Sequence, residues 1–137
     1  MKVFFDSSGY AKRFIQEPGS QRVDAICKEA TALGLSILCV PEIISALCRR
    51  RRESRLTKLQ YKEVKQTLFQ EARDVFLINI TSDVIRKAID ILEKHPLKTL
   101  DGLHISCALV WEAELFASAD KKQVAAARHL GLKTELL

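Results

Sequence analysis

Four carboxylate residues in this 137-residue chain stand where side chains often do chemistry in folds that alternate strands with helices. Asp6 follows the apolar run KVFF, Glu42 lies two residues past LSILCV, and Asp120 follows LFASA. Because the carboxyl ends of parallel strands meet at one edge of a sheet, we expect these three side chains to converge there. Asp101 opens LDGLHISCAL, a segment of helical spacing, and its placement at that edge is less certain from the pattern alone.

Each acid also begins a helical segment, where its carboxylate could simply cap backbone amides. For one acid alone, capping is the simpler interpretation. Four together raise the problem of repulsion, because two carboxylates about 4 Å apart repel by about 4 kcal/mol at an effective dielectric constant of about 20. Lys121 and Lys122 could offset this charge, but their side chains can reach solvent. We therefore predict a hard divalent cation with oxygen ligands, Mg²⁺ or Mn²⁺.

Such an ion is suited to the hydrolysis of a phosphodiester, because it orients a water molecule and neutralises charge on the phosphate. The glycine-rich phosphate-binding patterns GxGxxG and GxxxxGK are absent, which disfavours a nucleotide-binding protein. A receiver domain would be expected to carry an adjacent pair of acids after the first strand, where this chain has FFDSS. A phosphatase of the haloacid-dehalogenase type would need a second aspartate where Ser8 stands.

The pattern of apolar residues predicts the elements that position these acids. Strands are expected at residues 2–5, 35–40, 75–80, 115–119 and 133–137. Helical spacing occupies residues 8–16, 21–31, 41–53, 58–72, 82–94, 100–113 and 121–131, with Pro41 at a first helical position and Gly131 as a stop signal. The alternation predicts a single α/β domain over residues 1–137, with a parallel sheet covered by helices.

Composition and charge exclude several other classes of protein. The 22 Lys and Arg residues outnumber the 17 Asp and Glu residues, and a net charge of +5 favours polyanionic partners only weakly. The four cysteines show no CxxC spacing, so we expect buried thiols rather than a zinc site or disulfides. No export signal and no apolar run of about 20 residues is present, and a cytoplasmic protein without a membrane span is expected.

Four segments together resemble the PIN-domain ribonucleases, in particular the VapC-type toxins of bacterial and archaeal toxin-antitoxin pairs. They are VFFDSSGYAKRFIQEPGS, VPEIISALCRRRRESRLT, LKTLDGLHISCAL and LFASADKKQVAAARHLGL. The resemblance implies a three-layer α/β/α fold around a mainly parallel sheet of about five strands. It also implies metal-dependent endonucleolytic cleavage of RNA that leaves a 5′-phosphate and a 3′-hydroxyl. A homodimer and a small antitoxin protein that inhibits the enzyme are the expected partners.

The same resemblance implies the ligands of the metal site, which are one or two Mg²⁺ or Mn²⁺ ions bound by Asp6, Glu42, Asp101 and Asp120. Asp6 and Asp101 are the surest ligands by motif. Ser7 and Ser118 match positions where the family usually has a small hydroxyl residue, which would bind a carboxylate or a metal-bound water. The alternative is that one caps a helix and the other only ends a strand. Gln123 replaces an aromatic or large apolar residue of the family, a change that we expect to affect helix packing.

Histidine and lysine residues near the acids supply further candidates. His104 lies three residues after Asp101 on one helix face, so its ring could orient that carboxylate or contact a phosphate, although a structural role is commoner. His95 and His129 form no ligand spacing and are expected to be structural. The cations closest in sequence to the acids are the candidates for binding substrate, namely Lys12, Arg13, Lys121 and Lys122.

Two other functions stay open. The first is a non-catalytic PIN-like scaffold that binds RNA or protein, which the retention of four mutually repelling carboxylates argues against. The second is a Mg²⁺-dependent phosphatase on a similar sheet.

Overall fold

A five-stranded parallel sheet forms the centre of the computed structural model, which describes residues 1–137. The strands are β1 (Lys2–Phe5), β2 (Ala32–Ser36), β3 (Phe76–Ile78), β4 (Leu115–Ser118) and β5 (Lys133–Leu136). They lie in the order β3-β2-β1-β4-β5, and every neighbouring pair is parallel. The run KVFF becomes the central strand because it is apolar on both faces, as a strand buried between helices must be.

Seven α-helices connect and cover these strands. They are α1 (Ser7–Tyr10), α2 (Ser20–Glu29), α3 (Cys39–Arg52), α4 (Lys58–Glu71), α5 (Ser82–Lys94), α6 (Thr99–Val110) and α7 (Lys121–His129), with a 3₁₀ turn at Ala11–Arg13. Thr57 starts α4 in a capping box with Gln60, and Thr81 caps α5 at the backbone amide of Val84. Gly131 follows α7 with a φ of 94°, the left-handed conformation that glycine adopts without strain. None of the seven has the length and apolar character needed to cross a membrane.

The sheet separates two hydrophobic clusters, one on each face. Val3 and Phe5 of β1 belong to a cluster with Leu35, Ile43 and Leu68, which the helices α1 to α4 complete. Phe4 belongs to the other cluster, to which the helices α5, α6 and α7 contribute residues such as Ile91, Ile105 and Ala127. Adjacent residues of one strand therefore face opposite layers. This arrangement confirms the predicted three-layer α/β/α fold.

Several element boundaries differ from the sequence-based expectation. The strand predicted at residues 35–40 is β2, which ends at Ser36, because the Ser36 hydroxyl accepts a hydrogen bond from the Leu38 amide as the chain turns. The helix predicted from Pro41 begins earlier, at Cys39, whose side chain is buried in the core. Glu42 still lies in the first turn of α3, as the predicted helix over residues 41–53 implies. The first predicted helix, residues 8–16, is interrupted by the 3₁₀ turn after Tyr10.

The indole of Trp111 packs against Gly34 of β2, and this contact generates a prediction about stability. A Cβ atom added at Gly34 would come within 2.7 Å of two ring carbons of Trp111. Gly34→Ala should lower the free energy of unfolding by about 1–3 kcal/mol through overpacking, measured by denaturant titration. The same substitution in a Trp111→Leu background should cost less, because the ring is gone. Equal costs in the two backgrounds would contradict this contact.

Candidate functional site

A cleft of about 620 Å³ at the carboxyl edge of the sheet brings together three of the four predicted carboxylates. Glu42 comes from the first turn of α3, Asp101 from the first turn of α6, and Asp120 from the residue that precedes α7. The rest of the lining consists of Pro96, Leu97, Lys98, Leu100, Lys121 and Lys122. Asp101, whose position the strand pattern did not predict, thus lies in the same cleft as Glu42 and Asp120, whose positions it did predict.

Asp6 is not among the residues that line the cleft. It is 2% exposed and caps α1, where its Oδ1 accepts a hydrogen bond from the Gly9 amide at 2.9 Å and its Oδ2 accepts one from the Ser8 hydroxyl at 2.7 Å. Burial raises the pKa of Asp6, against the effect of these hydrogen bonds and of the nearby His104 ring. The residue named as one of the surest ligands therefore has both oxygens engaged within the protein.

Glu42 is held by two side chains that contact the same carboxylate oxygen. Its Oε1 accepts a hydrogen bond from the Ser7 hydroxyl at 2.7 Å and lies 2.5 Å from Nε2 of His104. Burial acts to raise the pKa of Glu42, but the hydrogen bonds from His104 and Ser7 outweigh it and leave the pKa below its ordinary value. The sequence allowed His104 to orient Asp101, with a structural role the commoner case. In the structure the His104 ring is almost fully buried in α6, and it is Glu42 that it contacts.

Asp101 does not cap its helix, since Lys98 precedes α6 and no side chain caps it. Its Oδ1 accepts a hydrogen bond from the side-chain amide of Gln123 at 2.6 Å. Burial raises the pKa of Asp101, the Gln123 amide lowers it, and the charges of Asp120 and Glu42 raise it further, so that the net shift is upward. The cleft carboxylates are thus close enough to repel one another.

Gln123 is a site residue that sequence reasoning assigned only to packing. It is 1% exposed, and its Oε1 has no hydrogen-bond partner. Its backbone amide also donates to Asp120 Oδ1 at 3.2 Å, so one residue contacts two of the acids. The only sequence signal was the polar side chain itself, at a position where the family often carries an apolar one.

Asp120 and Ser118 organise the turn after β4. Asp120 caps α7, with its Oδ1 accepting hydrogen bonds from the amides of Lys122 at 2.8 Å and Gln123. The Ser118 hydroxyl accepts one from the Asp120 amide at 2.9 Å and lies 3.4 Å from that of Ser8. Ser118 therefore fixes the backbone next to the acid rather than the acid itself.

Each cleft carboxylate has one oxygen held by the protein and one that accepts no hydrogen bond from it. The free atoms are Oε2 of Glu42, Oδ2 of Asp101 and Oδ2 of Asp120. Oxygen donors of this kind suit Mg²⁺ or Mn²⁺. No three Asp, Glu, His or Cys side chains lie close enough together to hold one ion. The oxygens present fit only an ion that contacts one or two carboxylates directly and keeps several waters, as Mg²⁺ commonly does.

The predicted substrate-binding cations divide into two pairs. Lys121 and Lys122 line the cleft, together with Lys98, which sequence reasoning did not select. Lys12 donates to the Pro18 carbonyl at 2.7 Å and pairs with Glu17, so its charge is engaged away from the cleft.

Arg13 is also engaged elsewhere, since its guanidinium donates to Glu71 at 2.6 Å and to Asp24 at 2.8 Å. These contacts tie the 3₁₀ turn to α2 and α4. Proximity to Asp6 in sequence thus does not bring Lys12 or Arg13 into the cleft lining.

Solved structures from three organisms share this fold. VapC20 of Mycobacterium tuberculosis, described as a toxin that cleaves the sarcin-ricin loop, is 15% identical, with a TM-score of 0.71 over 90% of this chain and 94% of that chain. FitAcB of Neisseria gonorrhoeae is 15% identical, with a TM-score of 0.72 over 96% and 95% of the two chains. VapBC2 of Rickettsia felis, bound to a DNA fragment from its promoter, is 12% identical, with a TM-score of 0.72 over 100% and 99%.

At sequence identities of 12% to 15%, the three structures are evidence for the fold of this chain and not for its activity. Among curated protein sequences, none matches the chain significantly. A family model does match, however, and it is that of the PIN domain, over residues 3–129. This range includes the four predicted carboxylates and spans all but the two ends of the chain. The chain belongs to the PIN domain family.

Proposed function

We propose that this protein is a Mg²⁺- or Mn²⁺-dependent endoribonuclease and acts, as a single domain, as the toxin of a toxin-antitoxin pair. The observation that carries the proposal is the cleft in which three carboxylates each present an unpaired oxygen beside three lysines. Membership of the PIN domain family supports nuclease chemistry, and the description of VapC20 as a toxin that cleaves the sarcin-ricin loop supports RNA as the substrate.

In this proposal the chain's own residues divide the work. Glu42, Asp101 and Asp120 would hold the divalent ion, directly or through its water molecules, and the bound ion would activate water and neutralise charge on the scissile phosphate. Asp6 is the fourth carboxylate of the site, and by capping α1 it sets the Ser7 hydroxyl against Glu42. His104 and Gln123 keep their carboxylates oriented, so that the free oxygens of Glu42 and Asp101 keep fixed positions in the cleft.

Three lysines give the cleft its affinity for a polyanion. Lys98, Lys121 and Lys122 line it, all three are exposed, and none forms an ion pair within the protein. Each phosphate that a lysine neutralises releases counterions and makes binding dependent on salt. We propose that these lysines bind the phosphates around the cleavage site, which replaces the earlier candidates Lys12 and Arg13.

We also propose that the protein forms a homodimer and is inhibited by a small antitoxin protein. The solved structures of similar fold include VapBC-1 of nontypeable Haemophilus influenzae and a toxin-antitoxin complex of Klebsiella pneumoniae. Light scattering on the purified protein would measure its mass in solution. A monomer at micromolar concentration would contradict the homodimer.

Cleavage of RNA by the purified protein is the decisive test. A structured RNA incubated with Mg²⁺ or Mn²⁺ should be cut internally, and EDTA, Glu42→Gln, Asp101→Asn or Asp6→Asn should each abolish cleavage. Asp90→Asn, which changes an exposed acid of α5, is the matched control and should cut normally. RNA that is bound but not cut would favour the scaffold, and turnover of a phosphomonoester would favour the phosphatase. DNA of the same sequence tests the preference for RNA.

Burial of Asp101, together with repulsion from Asp120 and Glu42, predicts a gain in stability when this carboxylate is neutralised. The pKa of Asp101 is raised above 3.8 in the folded state, so its ionisation costs stability as the pH rises through that folded value. Asp101→Asn in EDTA should therefore raise the Tm by a few degrees at pH 7, and the gain should shrink as the pH falls towards about 4.

Metal provides the complementary readout for this variant. Millimolar Mg²⁺ should raise the Tm of the native protein and have little effect on Asp101→Asn, because an ion that binds only the folded state stabilises it. If Asp101→Asn instead melts at a lower temperature than the native protein at pH 7, its hydrogen bond with Gln123 outweighs the repulsion.

The contact between Gln123 and Asp101 predicts a positioning role that metal binding can reveal. Gln123→Met keeps the length of the side chain but removes its amide, including the unpartnered Oε1, so the Tm should not fall. The affinity for Mn²⁺, measured by calorimetry, should fall about 10- to 100-fold, as expected when a group that orients a ligand is lost. Gln66→Met, an exposed residue of α4, should change neither quantity. An unchanged Mn²⁺ affinity in Gln123→Met would refute the role.

A further inference from the structure

A second pocket, of about 400 Å³, adjoins the cleft and shares Pro96, Leu97 and Lys122 with it. We call it the flanking pocket, and its other lining residues are Lys94, His95, Ala125, Ala126 and His129. Unlike the cleft, the flanking pocket has no carboxylate in its lining. The two pockets thus share part of their walls: the cleft combines carboxylates with lysines, and the charged side chains of the flanking pocket are all basic.

The flanking pocket is built where two helices end and the chain turns into a third. Lys94 is the last residue of α5, and His95 begins the segment that leads to α6. Lys122, Ala125 and His129 share one face of α7 because they recur at spacings of three and four residues. No pattern in the sequence joins His95 to His129, and only the packing of α7 beside the end of α5 does so.

The two histidine rings form a small aromatic surface in this pocket. Their centroids are 5.4 Å apart and the rings are inclined at 71°, an edge-to-face arrangement. His129 is exposed and His95 is partly exposed, so a flat ligand can reach them. Two imidazoles without a third ligand do not make a metal site, and no such cluster is present. The arrangement of the two rings is suited to contact with a planar group of a ligand.

Free positive charge surrounds that aromatic surface. Lys94 and Lys122 are exposed and take part in no ion pair, whereas Lys12, Arg13 and Arg50 are paired with acids. Cations at the ends of helices also complement the helix dipole, which accounts for Lys94. That explanation does not extend to Lys122, which lies at the start of α7, where the dipole disfavours a cation.

We propose that the flanking pocket binds the nucleotide next to the scissile phosphate of an RNA strand, an inference that rests on the proposed function of the cleft. Lys94 and Lys122 contact a phosphate, and the base packs against the histidine rings with Pro96 and Leu97 beneath it. Single-stranded RNA is recognised in this way, by bases unstacked onto aromatic side chains and phosphates held by cations. The volume lies within the range of about 300–1,000 Å³ usual for ligand pockets.

An acidic peptide is the other polyanion that could enter a basic pocket. RNA is favoured for two reasons. The pocket adjoins the cleft that would hold the scissile phosphate, so an RNA strand bound in the cleft can continue into the pocket. The paired rings also offer a stacking surface, which a carboxylate-rich peptide does not need.

Binding measured without metal tests the proposal independently of cleavage. A fluorescent single-stranded RNA is titrated with protein in EDTA, by anisotropy, at several salt concentrations. Lys94→Gln and His129→Ala change exposed side chains, and circular dichroism checks that both variants fold. Each should weaken binding about 5- to 20-fold. Lys94→Gln should also reduce the slope of log K against log salt by about 0.7, the loss of one contact to a single-strand phosphate.

A matched control and an altered RNA locate the effect. Lys87→Gln removes an exposed cation of α5 that lines neither pocket, and it should bind like the native protein. In a series of RNAs that each lack one base, the native protein should lose affinity at one position. His129→Ala should show no further loss at that position, because the base it would contact is already absent.

In steady-state cleavage, the same two variants should raise KM with little change in kcat, the pattern of a lost uniform binding contact. Native binding by both variants would overturn the inference even if the protein cuts RNA. Weakened binding by both in a protein that cuts nothing would support the pocket and refute the nuclease. The inference also fails if the native protein binds no RNA, or if only an acidic peptide such as polyglutamate loses affinity for the variants.

Discussion

Repulsion among carboxylates at the end of a parallel sheet is the constraint on which the architecture of this site depends. The protein meets it by holding only one oxygen of each cleft carboxylate: His104 and Ser7 hold Glu42, Gln123 holds Asp101, and two backbone amides hold Asp120. The held oxygens fix the geometry, and the remaining oxygens stay available. Asp6 differs from the cleft carboxylates, because each of its two oxygens accepts one hydrogen bond within α1. It lies buried behind the cleft, where it fixes the start of α1.

The arrangement explains why polar residues are buried in layers that are otherwise apolar. His104 and Gln123 are almost fully buried, and each leaves one polar atom without a partner, a cost of about 1–3 kcal/mol per atom. Apolar side chains at these positions would pack at no such cost but would let the carboxylates turn. The protein thus loses some stability at these two residues, and in return the carboxylates of the site are held in fixed orientations.

The sequence predicted the layers of the fold and the edge at which the site lies, because both follow from strand-helix alternation and from where acids follow strands. It could not predict which partner each long side chain selects. Arg13 reaches Glu71 on a distant helix, and His104 reaches Glu42 rather than Asp101, on the same helix face. His95 and His129 meet only because α7 packs beside the end of α5. The boundary between β2 and α3 was misplaced because LSILCV is apolar throughout, and only strand pairing and the turn at Ser36 decide where the strand ends.

The position of β1 between β2 and β4 bears on how the protein is made. The first strand, whose end carries Asp6 and Ser7, completes its pairing only with a segment more than a hundred residues later in the chain. A ribosome delivers that segment only after β2 and β3, the other half of the sheet, have been synthesised. A polypeptide that has not yet reached residue 120 lacks Asp120 and leaves one side of β1 without a partner strand, so it cannot complete the cleft. The carboxylates of the cleft therefore come together only late in the synthesis of this domain.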